Sequence, residues 1–352
     1  MKQQPFTKLL LQWHKNENKR QMPWKGEKDP YKVWLSEVIL QQTRVEQGLS
    51  YYEKFIKIYP SIQLLAAAND EDVFKLWEGL GYYTRCRNVL FTARFIANNL
   101  NGKFPSNYED ILALKGVGVY TASAIASFCF NMPYAVVDGN VFRVLSRIFG
   151  NNTPIDSIEG KREFTALAQQ LLDKKNAGAY NQAIMDFGAT VCKPMLPLCS
   201  KCPLQNICIA YEKGIVNTLP VKEKTLVKKT RWFTYIIFEK DKKTFIHKRT
   251  AKDIWQNLYE FYLLETDDNP QWNVERVEEW CANMKIKNEG IEIVKAKSQQ
   301  LTHQTIKGYF INMSLKHIPV FFKDSNMIMA SFDAIKKFGF PKFINEYLQN
   351  RS

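Results

Sequence analysis

Four cysteines crowded into one short stretch limit what this chain can fold into more than any other feature. The four are spaced as C-x6-C-x2-C-x5-C within seventeen residues, at Cys192, Cys199, Cys202 and Cys208. Four thiolates this close together can surround one small tetrahedral or cubane centre, so zinc and an iron–sulfur cluster are both chemically possible. The spacing argues against four unligated cysteines and favours a structural role, but it does not choose the metal.

The charge balance favours an anionic partner. The 352 residues include 49 Lys and Arg against 35 Asp and Glu, a formal net charge of +14. Such an excess is typical of proteins that bind nucleic acid. A solvated basic surface without a partner is the alternative, and charge alone does not exclude it.

Cysteine usage and hydropathy bear on the compartment. The chain has seven cysteines, an odd and clustered number, and its first residues do not read as a signal peptide. This pattern argues against a disulfide framework. Because no apolar run reaches membrane-spanning length, we expect a bacterial-type cytoplasmic protein that associates with the nucleoid through DNA.

The order of predicted elements indicates two domains of different class. Residues 1–217 are almost entirely helical, and residues 218–230 form a polar, basic linker. Residues 231–352 alternate strands with helices and predict an α+β domain. The fold class is therefore a mainly α N-terminal part followed by a smaller α+β domain.

The stretch Leu114–Asn140 combines a glycine turn with a later aspartate. Gly116 and Gly118 precede a helix predicted over Val119–Phe130, and Asp138 follows that helix. Glycines allow backbone angles closed to other residues, and a helix N-terminus attracts phosphate. The turn could hold a nucleic-acid backbone while Asp138 faces what that backbone carries. An ordinary helical hairpin with a capping aspartate is the alternative.

Glu37 lies on the apolar face of the helix that begins at Pro30. Its neighbours one turn away include Val33, Trp34 and Leu40. Burial would raise the pKa of this carboxyl and keep it protonated near neutral pH, as a general acid requires. A glutamate paired with an arginine inside a core is an equal alternative at this point.

A second glycine-rich turn, GLGYYTRCRN, places Tyr82 and Tyr83 beside Arg85 and Arg87. Aromatic and guanidinium groups next to such a turn suit stacking into a duplex and phosphate contact. Core tyrosines with surface arginines are the alternative.

Taken together, these segments resemble the MutY-type adenine DNA glycosylases of the helix-hairpin-helix, endonuclease III-like superfamily. The resemblance covers nearly the whole chain, through PYKVWLSEVILQQTRV, WEGLGYYTRCRN, LKGVGVYTA, VVDGNVFRVLSR and the cysteine loop. It implies a helix-hairpin-helix glycosylase fold, one [4Fe–4S] cluster on the four cysteines, and a Nudix-like C-terminal domain that reads 8-oxoguanine. The implied partner is double-stranded DNA with an A:8-oxoG or A:G mispair, bound by a monomer.

The resemblance also implies the catalytic residues. Superfamily members that cleave the strand carry a lysine where this chain has Tyr120, and a tyrosine cannot form a Schiff base. A monofunctional glycosylase that removes adenine is therefore implied. In it Glu37 protonates the base, Asp138 stabilises the oxocarbenium ion, and Tyr120 and Asn140 position the sugar and the carboxylates.

Further residues follow from the same resemblance. The implied adenine pocket consists of Arg20, Trp24, Leu40, Val45 and Gln182. The family often has glutamate where this chain has Gln182. Gln42 and Tyr82 are the residues implied to enter the duplex and hold the gap, and Gly116 and Gly118 are the implied backbone contacts.

The C-terminal part matches its family pattern at Trp255, Leu258, Glu260 and Phe261. The REUxEE helix of Nudix hydrolases is absent from the sequence, so Nudix hydrolysis is not expected. The lesion-reading turn Phe-Ser-His of the family corresponds to Leu301-Thr302-His303 here, which keeps a hydroxyl at Thr302 but loses the aromatic ring.

Two alternatives to a pure glycosylase remain open. One is a bifunctional glycosylase/lyase of the endonuclease III type, against which Tyr120 argues. The other is a non-catalytic DNA-binding or redox-sensing iron–sulfur protein. That second alternative explains the charge and the cysteines but gives no reason for Glu37 and Asp138.

Overall fold

The computed structural model describes residues 3–223, 228–296, 298–319, 322 and 326–351. The chain divides into two compact units, Met1–Ala67 with Asn88–Thr225, and Ala68–Arg87 with Leu226–Ser352. Part of the predicted linker, residues 224–227, lies outside the described residues, and the first strand already begins at Lys229.

The first unit is helical, as the sequence predicts. Its helices are α1 (Gln3–Asn16), α2 (Pro30–Leu40), α3 (Val45–Ile58), α4 (Ile62–Ala67), α7 (Tyr108–Ala113), α8 (Val119–Phe130), α9 (Gly139–Phe149), α10 (Ile158–Leu171), α11 (Ala177–Thr190) and α12 (Ile209–Glu212). Helix α5 (Asp70–Leu76) lies in the second unit, where α6 (Tyr83–Asn99) also begins. Phe6, Leu145, Phe164 and Phe187 are fully buried in a core that α1, α9, α10 and α11 share.

Local sequence explains where the helices near the site begin. Asp29 caps α2 by accepting the Tyr31 N–H at 3.0 Å, and Pro30 occupies a position where its missing N–H costs nothing. Helix α8 has the predicted bounds, Val119–Phe130. Asn131 ends it in the left-handed conformation, which asparagine tolerates.

The second unit is built on one mixed sheet. Its strands are β1 (Lys229–Lys240), β2 (Lys243–Lys248), β3 (Tyr259–Glu260), β4 (Tyr262–Thr266), β5 (Asn288–Lys295), β6 (Gln299–Gln300), β7 (Gln304–Leu315) and β8 (Ile328–Ser331). The main order is β3-β2-β1-β7-β5, with β4 on β1, β6 on β7 and β8 on β2. Strands β1 and β7 are parallel, and the other pairs are antiparallel.

Helices and a close strand contact complete this unit. It also contains α13 (Val274–Asn283), α14 (Phe332–Ile335) and α15 (Lys342–Asn350). Val277 and Cys281 of α13 pack on Ile236 and Ile311 of the two central strands. Gly308 is required on β7, because a Cβ there would lie 1.7 Å from the Phe233 carbonyl oxygen. The predicted α+β class is therefore confirmed.

Among the described residues, no helix combines the length and the apolar character needed to cross a bilayer.

Candidate active site

Glu37 lies on α2, and its side chain is almost completely buried. The residue is 6% exposed, and its hydrogen-bond partner is the Tyr120 hydroxyl on α8. The pKa of Glu37 is raised to about 7, chiefly by burial; the Tyr120 hydrogen bond lowers it, and the nearby Asp138 carboxyl adds to the rise. The carboxyl therefore carries its proton for much of the time at neutral pH, and its hydrogen-bond partner is a phenol rather than an arginine.

Asp138 caps helix α9 and lies within electrostatic reach of Glu37. Its Oδ1 accepts the Val141 N–H at 2.8 Å, and its Oδ2 accepts the Asn140 side-chain amide at 2.7 Å. Burial raises the pKa of Asp138, while these hydrogen bonds and the Arg143 guanidinium oppose that rise. Both sequence interpretations of Asp138, as a helix cap and as a functional carboxylate, are thus compatible with one position.

Arg143, one turn further along α9, connects this carboxylate to the cysteine loop. Its Nη2 donates to Asn140 Oδ1 at 2.8 Å and to the Gly188 carbonyl at 2.7 Å, and its Nε donates to the Cys192 carbonyl at 2.8 Å. The guanidinium is buried, so these bonds replace its hydration. Asp138, Asn140, Arg143 and Cys192 therefore form one continuous hydrogen-bonded chain.

The predicted glycine turn joins α7 to α8, but its two glycines differ. Gly116 has a φ of +81°, and a Cβ there would lie 2.6 Å from the Asn88 side-chain nitrogen. Gly118 has a φ of −98°, an angle that other residues also adopt, so Gly118 does not use the backbone freedom that glycine allows. What Gly118 provides is open space, since a Cβ there meets nothing within 4 Å.

The predicted pocket residues lie around α2, α3 and α11. Arg20 and Gln182 are brought together by the buried Asp186, whose Oδ1 accepts from Arg20 Nη1 at 2.9 Å and from Gln182 Nε2 at 3.1 Å. The Trp24 ring packs edge-on against Tyr52, with centroids 5.3 Å apart. The two aliphatic members flank the α2–α3 connection, with Leu40 at the end of α2 and Val45 at the start of α3.

The two residues predicted to enter a duplex share an uncommon backbone conformation. Gln42 has a φ of +56° and Tyr82 a φ of +49°, and both side chains are exposed. Left-handed angles at residues other than glycine are uncommon and concentrate at functional sites.

In the second unit, the Tyr82 hydroxyl is hydrogen-bonded to the Thr302 hydroxyl. Thr302 lies in a tight turn in which the Leu301 N–H donates to the Gln304 carbonyl at 2.8 Å, and His303 is exposed at that turn. A cavity of about 400 Å³ opens beside these residues, and Gln299 and Gln256 also line it. The structure thus brings the predicted Tyr82 and Thr302 together.

The four clustered cysteines surround one cavity and form no disulfide. Arg147 anchors their loop, since its guanidinium donates to the Lys193 carbonyl at 2.7 Å and to Cys192 Sγ at 3.5 Å. Within the described ranges, no three His, Cys, Asp or Glu side chains are arranged to hold a single metal ion. One zinc ion would need sulfurs about 3.8 Å apart, the tetrahedral edge for a 2.3 Å Zn–S bond.

The sequence analysis did not identify three charged residues of this region. Asp186, Arg143 and Arg147 are all buried and charged, and each is bonded to residues distant in the chain. The available signal was a charged residue at a core position of an otherwise apolar helix face, the same signal that marked Glu37.

Comparisons with known proteins place both units. A family described as "HhH-GPD superfamily base excision DNA repair protein" matches residues 35–174, and one described as "NUDIX domain" matches residues 233–350. The Adenine DNA glycosylase of Buchnera aphidicola subsp. Acyrthosiphon pisum (strain APS) is 32% identical over 348 residues, which are 98% of this chain and 97% of that protein. The Adenine DNA glycosylase of Mus musculus is 43% identical over 227 residues, 61% of this chain and 44% of that protein.

Solved structures agree with the fold of the first unit. A thermostable thymine-DNA glycosylase matches with a TM-score of 0.55 and 29% identity, over 60% of this chain and 97% of that one. A trapped endonuclease III–DNA covalent intermediate matches with a TM-score of 0.53 and 21% identity, over 61% of this chain and 99% of that one. The second match supports the fold alone.

The fold and the two family matches define a helix-hairpin-helix base excision repair protein with a Nudix-like second domain. Within that class, two relatives that match over nearly their full length are each 32% identical to this chain. The chain belongs to the adenine DNA glycosylase family, as the sequence motifs predict.

Proposed function

We propose that the protein is a monofunctional glycosylase that hydrolyses the N-glycosidic bond of adenine mispaired with 8-oxoguanine or guanine in duplex DNA. The observation that carries the proposal is the pair of carboxyls in the first unit, Glu37 with a pKa of about 7 and Asp138 at a helix N-terminus. Membership in the adenine DNA glycosylase family supports adenine as the base that is removed.

The two carboxyls supply complementary chemistry. Glu37 in its protonated form donates its proton to adenine N7 as the C1′–N9 bond breaks, and the bonding electrons leave with the base. Asp138, as a carboxylate, stabilises the positive charge that develops on the sugar. Glu37, now ionised, accepts a proton from the attacking water, whose oxygen bonds to C1′. The proton count is thereby restored.

Tyr120 restricts the enzyme to base removal. Its hydroxyl donates to Glu37, and burial raises the pKa of the phenol well above its usual range. A neutral phenol at this place provides no amine to form a Schiff base with C1′. Asn140 supports the second carboxylate through its 2.7 Å hydrogen bond to Asp138.

The substrate base must leave the helical stack to reach these groups. We propose that Arg20, Trp24, Leu40, Val45 and Gln182 receive it, while Gln42 and Tyr82 hold the gap in the duplex. The N-terminus of α8, with open space at Gly118, suits a backbone phosphate.

The second unit supports recognition of the opposite base. Thr302 presents a hydroxyl beside Tyr82, and His303 lies at the same exposed turn. An 8-oxoguanine differs from guanine by an N7–H and an O8, groups that a hydroxyl can pair with as acceptor or donor. We therefore assign lesion recognition to this turn.

The cysteine loop has the donor set of an iron–sulfur cluster. Its spacing C-x6-C-x2-C-x5-C resembles the iron–sulfur loop of the endonuclease III-like superfamily, and the four cysteines line one cavity. We propose that Cys192, Cys199, Cys202 and Cys208 ligate one [4Fe–4S] cluster, whose role when bound is to hold the loop. Iron and acid-labile sulfide analysis of the purified protein tests the assignment, since zinc with no iron would contradict it.

A panel of duplexes tests the proposed function. Duplexes with A:8-oxoG, A:G, T:G or thymine glycol:A are incubated with the monomeric protein. Half of each sample is then treated with alkali. We expect the adenine strand alone to break, and only after alkali. Cleavage without alkali together with borohydride trapping would indicate a lyase, and duplex binding without base release would indicate a non-catalytic protein.

A further inference from the structure

Asp186 of α11 is a fully buried carboxylate that the mechanism above does not use. Four side chains converge on it. Arg20 Nη1 and Gln182 Nε2 reach its Oδ1 at 2.9 and 3.1 Å. Asn18 Nδ2 and Lys25 Nζ reach its Oδ2 at 2.8 and 3.0 Å. Arg20 and Lys25 both form ion pairs with this side chain, which is not exposed to water, and a carboxylate can only accept hydrogen bonds.

The charge of Asp186 fixes which way the Gln182 amide faces. A side-chain amide has a donor end and an acceptor end that can exchange places by rotation. Rotation here would place the amide oxygen about where its nitrogen is, against a carboxylate oxygen, and two acceptors repel. The NH2 end is therefore held on Asp186. Because Gln182 is partly exposed, its carbonyl end is the one that a ligand can reach.

The same carboxylate fixes Arg20 as a donor next to that acceptor. One guanidinium nitrogen is held by Asp186, and the side chain is 21% exposed. A guanidinium has only donors, so its remaining N–H groups can face only an acceptor. Arg20 and Gln182 thus offer a ligand one donor and one acceptor, both set by a single buried charge.

We propose that Asp186 is a positioning residue that sets base specificity by holding this donor–acceptor pair in the polarity complementary to adenine. Adenine presents an acceptor at N1 beside a donor at N6. Hypoxanthine presents the reverse, N1–H and O6, and would meet donor against donor and acceptor against acceptor. A glutamine so held offers a base only its acceptor end, as a glutamate would. This inference rests on the proposed excision of adenine.

The test is single-turnover base release from duplexes in which 8-oxoguanine lies opposite adenine, hypoxanthine or unsubstituted purine. Purine keeps N1 and lacks the N6 amino group, so it reports catalysis without the Gln182 contact. In Asp186→Asn we expect the adenine-to-purine rate ratio to fall about tenfold or more, because the amide can rotate and leave a donor facing a donor. The adenine-to-hypoxanthine ratio falls with it.

Rescue separates positioning from structural support. Adding Gln182→Glu to Asp186→Asn restores an obligatory acceptor and a negative charge near Arg20, so the adenine-to-purine ratio returns to within about threefold of wild type. Thr190→Val is the matched control. Its hydroxyl donates to the Asp186 main-chain carbonyl at 2.8 Å, and its loss leaves both ratios unchanged.

Several outcomes would overturn the inference. A purely structural Asp186 would lower all three rates together, with ratios within about twofold of wild type and no rescue. If Asp186→Asn does not fold, Gln182→Met provides the test, and an unchanged adenine-to-purine ratio in that variant rejects the acceptor role. Failure of the wild-type protein to release adenine would reject the proposed function instead.

Discussion

At the residue scale, the proposed mechanism depends on one proton that burial favours on Glu37. A surface glutamate would have lost it well below neutral pH. Here desolvation outweighs the Tyr120 hydrogen bond, and the pKa reaches about 7. The protonated form of Glu37 is therefore well populated near neutral pH.

The pH dependence of base release should follow from these two carboxyls. The rate falls above about pH 7 as Glu37 loses its proton, and it falls on the acid side as Asp138 gains one. Since the Tyr120 hydrogen bond lowers the pKa of Glu37, Tyr120→Phe should move the alkaline limb to higher pH. Single-turnover rates from pH 5 to 9 measure this. Tyr108→Phe serves as a control, and a downward shift in Tyr120→Phe would contradict the assignment.

The same pKa predicts a pH-dependent stability difference. The pKa of Glu37 in the folded protein, about 7, lies above its ordinary value of 4.5. The contribution of protonated Glu37 to the free energy of unfolding is therefore fully present below pH 4.5 and is lost as the pH rises through 7. A neutral glutamine at this position does not titrate and avoids the loss. Glu37→Gln should therefore gain stability relative to wild type between pH 5 and 8, by up to about 3 kcal/mol. Urea unfolding at both pH values measures it, and exposed Glu46→Gln should show no such trend.

At the element scale, several of the proposed site residues lie at the ends of helices. Asp138 is the cap of α9, the open space at Gly118 lies at the start of α8, and Gln42 lies between α2 and α3. Helix ends leave backbone N–H and C=O groups without partners inside the helix. A capping side chain or a bound phosphate can therefore hydrogen-bond to these groups.

The two glycines before α8 should respond differently to the same substitution. Gly116→Ala places a Cβ 2.6 Å from the Asn88 nitrogen at a φ of +81°, and should cost about 1–3 kcal/mol of stability. Gly118→Ala meets open space, so it should fold normally and weaken duplex binding at low salt. Chemical denaturation and fluorescence anisotropy separate the two effects. Equal stability losses would refute the distinction.

Arg143 should be sensitive even to a change that keeps its charge. Lysine cannot reproduce the fork that reaches Asn140, Gly188 and the Cys192 carbonyl together. Arg143→Lys should lose roughly 2–4 kcal/mol of stability and slow base release, because Asn140 loses the bond that orients it. Exposed Arg162→Lys is the matched control. Normal melting and normal rates in Arg143→Lys would show that the connection is dispensable.

At the scale of the whole molecule, we assign base removal to the first unit and lesion recognition to the second. Thr302→Val keeps the shape of the side chain and removes the hydroxyl that meets Tyr82. We expect the preference for A:8-oxoG over A:G to fall several-fold, as one neutral hydrogen bond is worth about 1 kcal/mol. Rates on both duplexes measure the ratio, with Thr250→Val as a control. An unchanged ratio would move lesion recognition elsewhere.

Local patterns predicted a large part of this molecule. The α8 bounds, the Asp138 cap and the α+β class of the second unit all follow from nearest-neighbour chemistry. Asp186 was out of reach because its partners Asn18 and Arg20 lie more than 160 residues away, and no local pattern encodes that distance. The short strand β8 was missed for a similar reason, since pairing with β2 defines it.

The second unit includes a segment from the N-terminal half of the chain, and this determines where the protein can be divided into domains. Helix α5 and the turn after it are separated in sequence from the sheet, yet the Phe340 N–H donates to Glu78 at 2.8 Å and Lys75 Nζ to the Phe338 carbonyl at 3.0 Å. Trp77 is fully buried in this segment. Dividing the chain at the basic linker would therefore separate about twenty residues, Ala68–Arg87, from the residues they pack against. Modules swapped between homologues should exchange Ala68–Arg87 along with the C-terminal domain.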